Sequence, residues 1–275
     1  MLRLLGIALI ASAGVSVHAQ WLKHPTPNVP RTADGRPNLD APAPRLPDGK
    51  PDFSGIWQLL PRPCSAPNAP KPGLPECSGD YAPGPEFQNL GTRLQGGLPY
   101  QPWARKLAAE RTEQLGKDDP VGFCKPGGAV RILTFPPFRK FLQPPGLFVI
   151  LSERDVTYRQ VFLDGRPLPD DPTPTPNGYS IGRWDGDTLV VQTVGFRDGT
   201  WLDRNGSPMT EGAKMTERFR RVNYGRVDVE LTIDDAKAYT KPFTVTLQQR
   251  IVLDTELMDY HCTDNERDAA RMIGK

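Results

Sequence analysis

The chain has 275 residues and a net charge of +2, long enough to bury a sizeable core and too nearly neutral to present the basic surface that nucleic acid requires. Hydrophobic residues make up 37%, below the globular average, and the 31 prolines account for much of that shortfall.

Residues 1–19 read as a signal peptide. Arg3 supplies the positive start, Leu4 to Val17 the apolar stretch, and Val17-His18-Ala19 a small-residue cleavage site. No later segment reaches the roughly 20 apolar residues of a spanning helix. The mature chain is therefore expected to be exported, periplasmic or extracellular, with no transmembrane segment once the signal is removed.

Residues 20–52 are rich in Pro, Asn, Arg and Asp and lack periodicity, so they form an extended arm or a strap over the surface. A single domain is expected over 53–275. Its first strand signal is Phe53-Ser54-Gly55-Ile56-Trp57-Gln58. Residues 61–100 are an irregular insert, because each proline fixes φ and removes a donor. Over 102–115 a helix is predicted, with Pro102 at its first position, Gly116 as cap, and Trp103, Leu107 and Leu115 on one stripe.

Beyond Cys124 the strand signals come quickly: Ala129–Thr134, Arg139–Leu142, Leu147–Ser152, Val156–Leu163, Tyr179–Trp184, Thr188–Val194, Lys214–Val222, Arg226–Asp234, Phe243–Leu253 and Glu256–Cys262. Turn signals such as Asp185-Gly186 separate them. Short connections argue against parallel βαβ units. The expectation is an all-β, mainly antiparallel fold, a lipocalin-like barrel or strongly curled meander with one short covering helix.

The four cysteines, Cys64, Cys77, Cys124 and Cys262, are an even number suited to an oxidising compartment. Of the three possible pairings, Cys64–Cys77 with Cys124–Cys262 is favoured. The first closes one irregular loop and the second ties the start of the strand-rich region to its end. No Cys-x-x-Cys spacing points to a metal, the Asp-Gly and Asn-Gly loops lack the carboxylates of a calcium loop, and no cofactor motif is present.

Two resemblances follow from these residues. Phe53-Ser54-Gly55-Ile56-Trp57 resembles the Gly-x-Trp first strand of lipocalin-like barrels, which implies that Trp57 closes the barrel. The phrases RQVFLDGRPLP, GRWDGDTLVVQTVGF, TERFRRV and TIDDAKAYTKPFTV, between Val121 and Cys262, are similar to an abundant family of secreted bacterial proteins of unknown function. That likeness implies export and a shared β fold, and transfers no activity. Where the family carries histidine before Thr210-Glu211, this chain has Ser207, Pro208 and Met209.

Histidine is nearly absent from the mature chain, which keeps His24 and His261, so a histidine-based nucleophile system is disfavoured. The remaining chemistry is carboxylate, guanidinium and aromatic. On Lys214–Val222, Met215, Glu217, Phe219 and Arg221 share one face. If that face lines a barrel, Glu217 and Arg221 must pair with each other or meet a polar ligand. Tyr158 on its strand and Gln249, which takes an inward slot in its own, join them as ligand contacts.

The reading is a noncatalytic barrel binding a small, partly apolar ligand through Tyr158, Glu217, Phe219, Arg221, Gln249 and Trp57. One alternative is a pocket hydrolase or isomerase using a carboxylate base. Another is an envelope interaction module with an unknown protein partner, docking through the arm or an exposed strand.

Overall fold

Strands that alternate apolar and polar residues each have one face to bury and two edges to pair. The computed structural model describes residues 24–63, 81–82, 84–154 and 156–262, and in it nine strands meet both needs by closing into a barrel. They are β1 (Gly55–Leu59), β2 (Arg139–Leu142), β3 (Leu147–Ser152), β4 (Thr157–Phe162) and β5 (Tyr179–Asp185). The second half adds β6 (Thr188–Val194), β7 (Lys214–Asn223), β8 (Arg226–Asp234) and β9 (Phe243–Val252). Each strand pairs with the next in sequence, and β9 returns to β1. The fold is an all-β, lipocalin-like closed barrel.

Strands can alternate up and down around a closed ring only if their number is even. With nine, one neighbouring pair must run parallel, and that pair is β4–β5, joined at Val161↔Ser180 and Phe162↔Ile181. A parallel pair needs a long crossover rather than a tight turn. The proline-rich segment 163–178 supplies it. Elsewhere the turns are short: Gly186, at φ +58, opens the two-residue turn between Asp185 and Thr188. That places the turn at Gly186-Asp187, one residue beyond the predicted dipeptide, with glycine at the position that needs positive φ.

The inward residues pack the barrel. Phe141, Phe148 and Phe219 contact one another with ring centroids 5.3–6.0 Å apart, and Phe53 meets Phe219 at 6.3 Å. Around them Ile150, Leu189, Val191, Val229, Leu231 and Leu247 are fully buried. Each large side chain of this kind contributes about 1.5–3 kcal/mol of burial free energy.

Different elements close the two ends. At one, the arm crosses the barrel as a strap. Tyr224 N and Gly225 N donate to Ala41 and Leu39 carbonyls at 2.8 Å, Arg45 forks onto Asp187 at 2.9 and 2.6 Å, and Phe53 N donates to Gln143 Oε1. At the other, three helices, α1 (Pro85–Gln88), α2 (Pro102–Glu113) and α3 (Ala129–Thr134), gather with the loops, and α3 packs on β1.

Helix α3 corrects the strand predicted at Ala129–Thr134. All six residues are buried, and a short run that is apolar on every side carries no period to distinguish strand from helix. Predicted strand Glu256–Cys262 is also absent. Tyr260 makes an isolated bridge to Arg154, and the segment is otherwise tied by Met258 N to Glu153 Oε1 and by the Cys124–Cys262 disulfide. On α2 the expected stripe is turned outward: Ala104 and Ala108 are buried while Trp103 and Leu115 are exposed. Trp103 instead donates its indole N–H to the Lys237 carbonyl at 2.8 Å. Cys64, Cys77 and the signal peptide lie outside the described residues. Among the described residues no helix is long and apolar enough to cross a membrane.

Candidate functional site

Strand β7 places Met215, Glu217, Phe219 and Arg221 on the barrel's inner face, all buried. A carboxylate at that depth needs a counter-charge. Arg159 of β4 provides it, forking onto both oxygens of Glu217 at 2.8 and 2.5 Å. Ser180 and Thr193 complete the cluster. Arg159 Nη2 donates to Thr193 Oγ1 at 2.8 Å and to Ser180 Oγ at 3.1 Å, and the two hydroxyls lie 3.0 Å apart. Glu217 therefore spends both oxygens on Arg159, not on Arg221 or on open space.

Arg159 also decides the orientation of β4. The sequence reading took Tyr158 as a contact of the interior, whereas Arg159 and Val161 are the buried pair and Tyr158 is 62% exposed. An arginine can take the apolar side because Glu217 waits there, and that partner comes from a strand far away in sequence. Tyr158 is thus no contact of the interior.

Gln249 is fully buried and engaged with the end-closing helix. Its Oε1 accepts from Arg139 Nη1 at 2.6 Å and its Nε2 donates to the Leu133 carbonyl at 3.0 Å. Arg139 also donates to the carbonyls of Leu133, Phe135 and Pro137 at 2.6, 2.5 and 2.8 Å. A guanidinium at the C-terminal end of α3 satisfies carbonyls that the helix leaves without amide partners. Burial pulls the Arg139 pKa down to about 9, with the charge of Glu153 opposing.

Phe219 sits within the phenylalanine cluster. Trp57 is fully buried beside it, stacked on Phe141 at 6.0 Å and donating its indole N–H to the Phe53 carbonyl at 2.9 Å. Arg221 lies beneath the strap, its guanidinium carbon 5.0 Å from the Trp57 ring and 5.4 Å from that of Tyr224. It donates to the carbonyls of Asn223 and Tyr224 at 3.3 and 2.6 Å and to that of Asp52. Burial lowers its pKa to about 10, while Asp52 and Tyr224 act the other way, and burial raises the Tyr224 phenol.

The predicted residues therefore divide into groups rather than forming one pocket. Glu217 belongs to the mid-barrel ion pair, Gln249 to the helix-closed end, and Trp57 and Arg221 to the strapped end. Sequence reasoning missed Arg159, Arg139, Ser180 and Thr193. One signal was available: a lone inward carboxylate demands an inward cation. The sequence did not say which arginine would answer.

Open space lies at the strapped end. A cleft of 670 Å³ runs between the arm and the barrel rim, with Pro44, Ile56 and Ile251 among its apolar walls and Arg221, Tyr224 and Lys140 among its polar groups. Lys140 is held by Glu256 at 2.6 Å, which also borders the cleft. Across the strap a second cleft of 460 Å³ is walled by Leu46, Pro47, Pro144, Leu147, Leu163 and Trp184. In size the larger cleft falls in the range of small-molecule sites, and its mixture of apolar wall and few polar groups is of the kind that orients a ligand. No known family model matches the chain, and no curated protein is significantly similar to it.

Proposed function

We propose that this chain is an exported, noncatalytic binding protein that holds a small, partly apolar ligand in the cleft beneath its N-terminal strap. The carrying observation is that 670 Å³ cleft, where Ile56 and Ile251 face Arg221 and Tyr224. The apolar walls contribute affinity, and the few polar groups set orientation. Arg221 is anchored by three backbone carbonyls and by two aromatic rings, so its position is set before a ligand arrives.

Glu217 disfavours a pocket enzyme. A general base must reach a substrate proton, and this carboxylate is fully buried with both oxygens on Arg159. The signal-like residues 1–19 and the Cys124–Cys262 disulfide support export. We keep the likeness to secreted bacterial proteins of unknown function as part of this reading.

Native mass spectrometry of protein purified from an oxidising compartment, paired with titration of 8-anilinonaphthalene-1-sulfonate, tests the proposal. Expected is either retained mass lost on denaturation or a saturable dye signal, and a sharp drop of that signal in a folded Arg221→Lys variant. Lysine keeps the charge but cannot reproduce the planar fork. A bare mass together with unsaturable dye binding, or an Arg221→Lys variant that binds like the parent, overturns it.

A further inference from the structure

At the opposite end of the barrel, the loop before α3 faces the loop after β6 across a cleft of 240 Å³. Its border includes Lys125, Gly127, Arg131, Arg197, Asp198 and Thr200. We propose that this cleft is a binding site for a small oxyanion, a phosphate or carboxylate group. Nothing in this inference depends on the strapped-end cleft.

Arg131 carries the argument. It is 2% exposed, yet only one of its nitrogens has a counter-charge: Nη1 donates to Asp119 Oδ1 at 2.6 Å. Its Nε, like that of Arg139, is buried with no hydrogen-bond partner among the described residues, and of the two only Arg131 borders this cleft. A buried charged donor without an acceptor is costly, and native interiors rarely leave one. The guanidinium lies 4.6 Å from the Phe135 ring, which fixes its plane but offers no acceptor of hydrogen-bonding strength.

The rim adds charge of the same sign. Lys125 and Arg197 are exposed and form no ion pair among the described residues. The nearby carboxylates cancel this only in part. Asp119 is already shared between Arg131 and the Val121 amide, and Asp198, exposed at the rim, offsets one of the two exposed cations and leaves the cleft's border net positive. Asp203, which also feels the Arg131 charge, is satisfied by Leu90 N, Ser207 N and Ser207 Oγ at 2.9, 3.1 and 2.7 Å. A buried fork, two exposed cations and a small volume match an oxyanion and leave room for a short substituent, not for a large ligand.

The test follows the mature protein by ¹H–¹⁵N NMR through titrations with inorganic phosphate and with acetate at constant ionic strength. Saturable shifts at the Arg131 Nε–H and the Gly127 amide are expected. Because Arg131 also holds Asp119, the variant of choice is Lys125→Ala with Arg197→Ala, which leaves the buried contacts intact. The double variant should weaken phosphate binding about tenfold or more, a factor worth ~1.4 kcal/mol. Stronger binding of phosphate assigns a phosphoryl group, and equal or stronger binding of acetate assigns a carboxylate. Shifts that stay linear to high concentration for both anions, or a double variant that binds as the parent does, overturn the proposal.

Discussion

The barrel's two ends are closed by opposite means. At the helix end, α3 is buried along its whole length, and Arg139 and Gln249 lock its last carbonyls from inside the barrel. At the strapped end, the arm lies over the rim on backbone hydrogen bonds and one exposed ion pair, with clefts of 670 and 460 Å³ beside it. A plug made of core residues is coupled to global folding. A strap made of exposed, proline-rich chain can open while the barrel stays intact. The difference places the structural work at the helix end and the larger open volume at the strapped end.

Breaking the helix end should cost most. The Cys124–Cys262 disulfide closes a loop with a sequence separation of 138, for which the chain-entropy model gives about 5 kcal/mol. Replacing both cysteines by serine should lower the unfolding free energy from denaturant titration by an amount of that order. Loss of less than about 1 kcal/mol would show that the helix end is held without the crosslink.

Next comes the polar centre that both ends share. Glu217→Gln leaves Arg159, 2% exposed, without its counter-charge, and breaking a buried pair from one side costs ~3–5 kcal/mol. Combining it with Arg159→Met removes the orphaned charge and should recover most of that loss. Urea titrations of the two variants check this. If Glu217→Gln unfolds at the parent midpoint, the pair carries no structural load, and Glu217 becomes available for chemistry after all.

How far the sequence foresaw these regions follows from where each signal resides. Strict alternation at Val227, Val229, Leu231 and Ile233 made β8 legible, because a period of two is a local property with one buried face. Fully buried α3 was misread as a strand, since an apolar run surrounded on all sides shows no period. Inward orientation of Glu217 and Gln249 was also legible from alternation within their strands. What each one touches was not. Arg159 reaches Glu217 across 58 positions of sequence, and Gln249 meets Leu133 across 116. Contacts at those separations come from barrel closure, which no local pattern encodes. Tyr158 failed for a related reason: alternation leaves open which face of β4 turns inward, and the inward arginine is met by a carboxylate distant in sequence.

The smallest global effect, and the sharpest test of the contrast, is expected from the strap. Arg45 and Asp187 are more than half exposed, so losing their ion pair should leave the unfolding midpoint unchanged. The pair is nevertheless the side-chain fork that fastens the strap to the β5–β6 turn. Close by, Leu46 N and Asp52 N donate within the strap to the carbonyls of Lys50 and Pro44 at 2.8 and 2.9 Å. With Arg45→Ala, those two amides should exchange their hydrogens faster. The Phe135 amide, bonded to the Arg131 carbonyl at the helix end, should exchange at the parent rate. Equal acceleration at both ends would mean that the strap opens only when the barrel does, and a ligand beneath it would then have to wait for global unfolding. Acceleration confined to Leu46 and Asp52 would instead establish an opening that the cleft can use, since a ligand held under the strap should slow the same two amides in proportion to its occupancy.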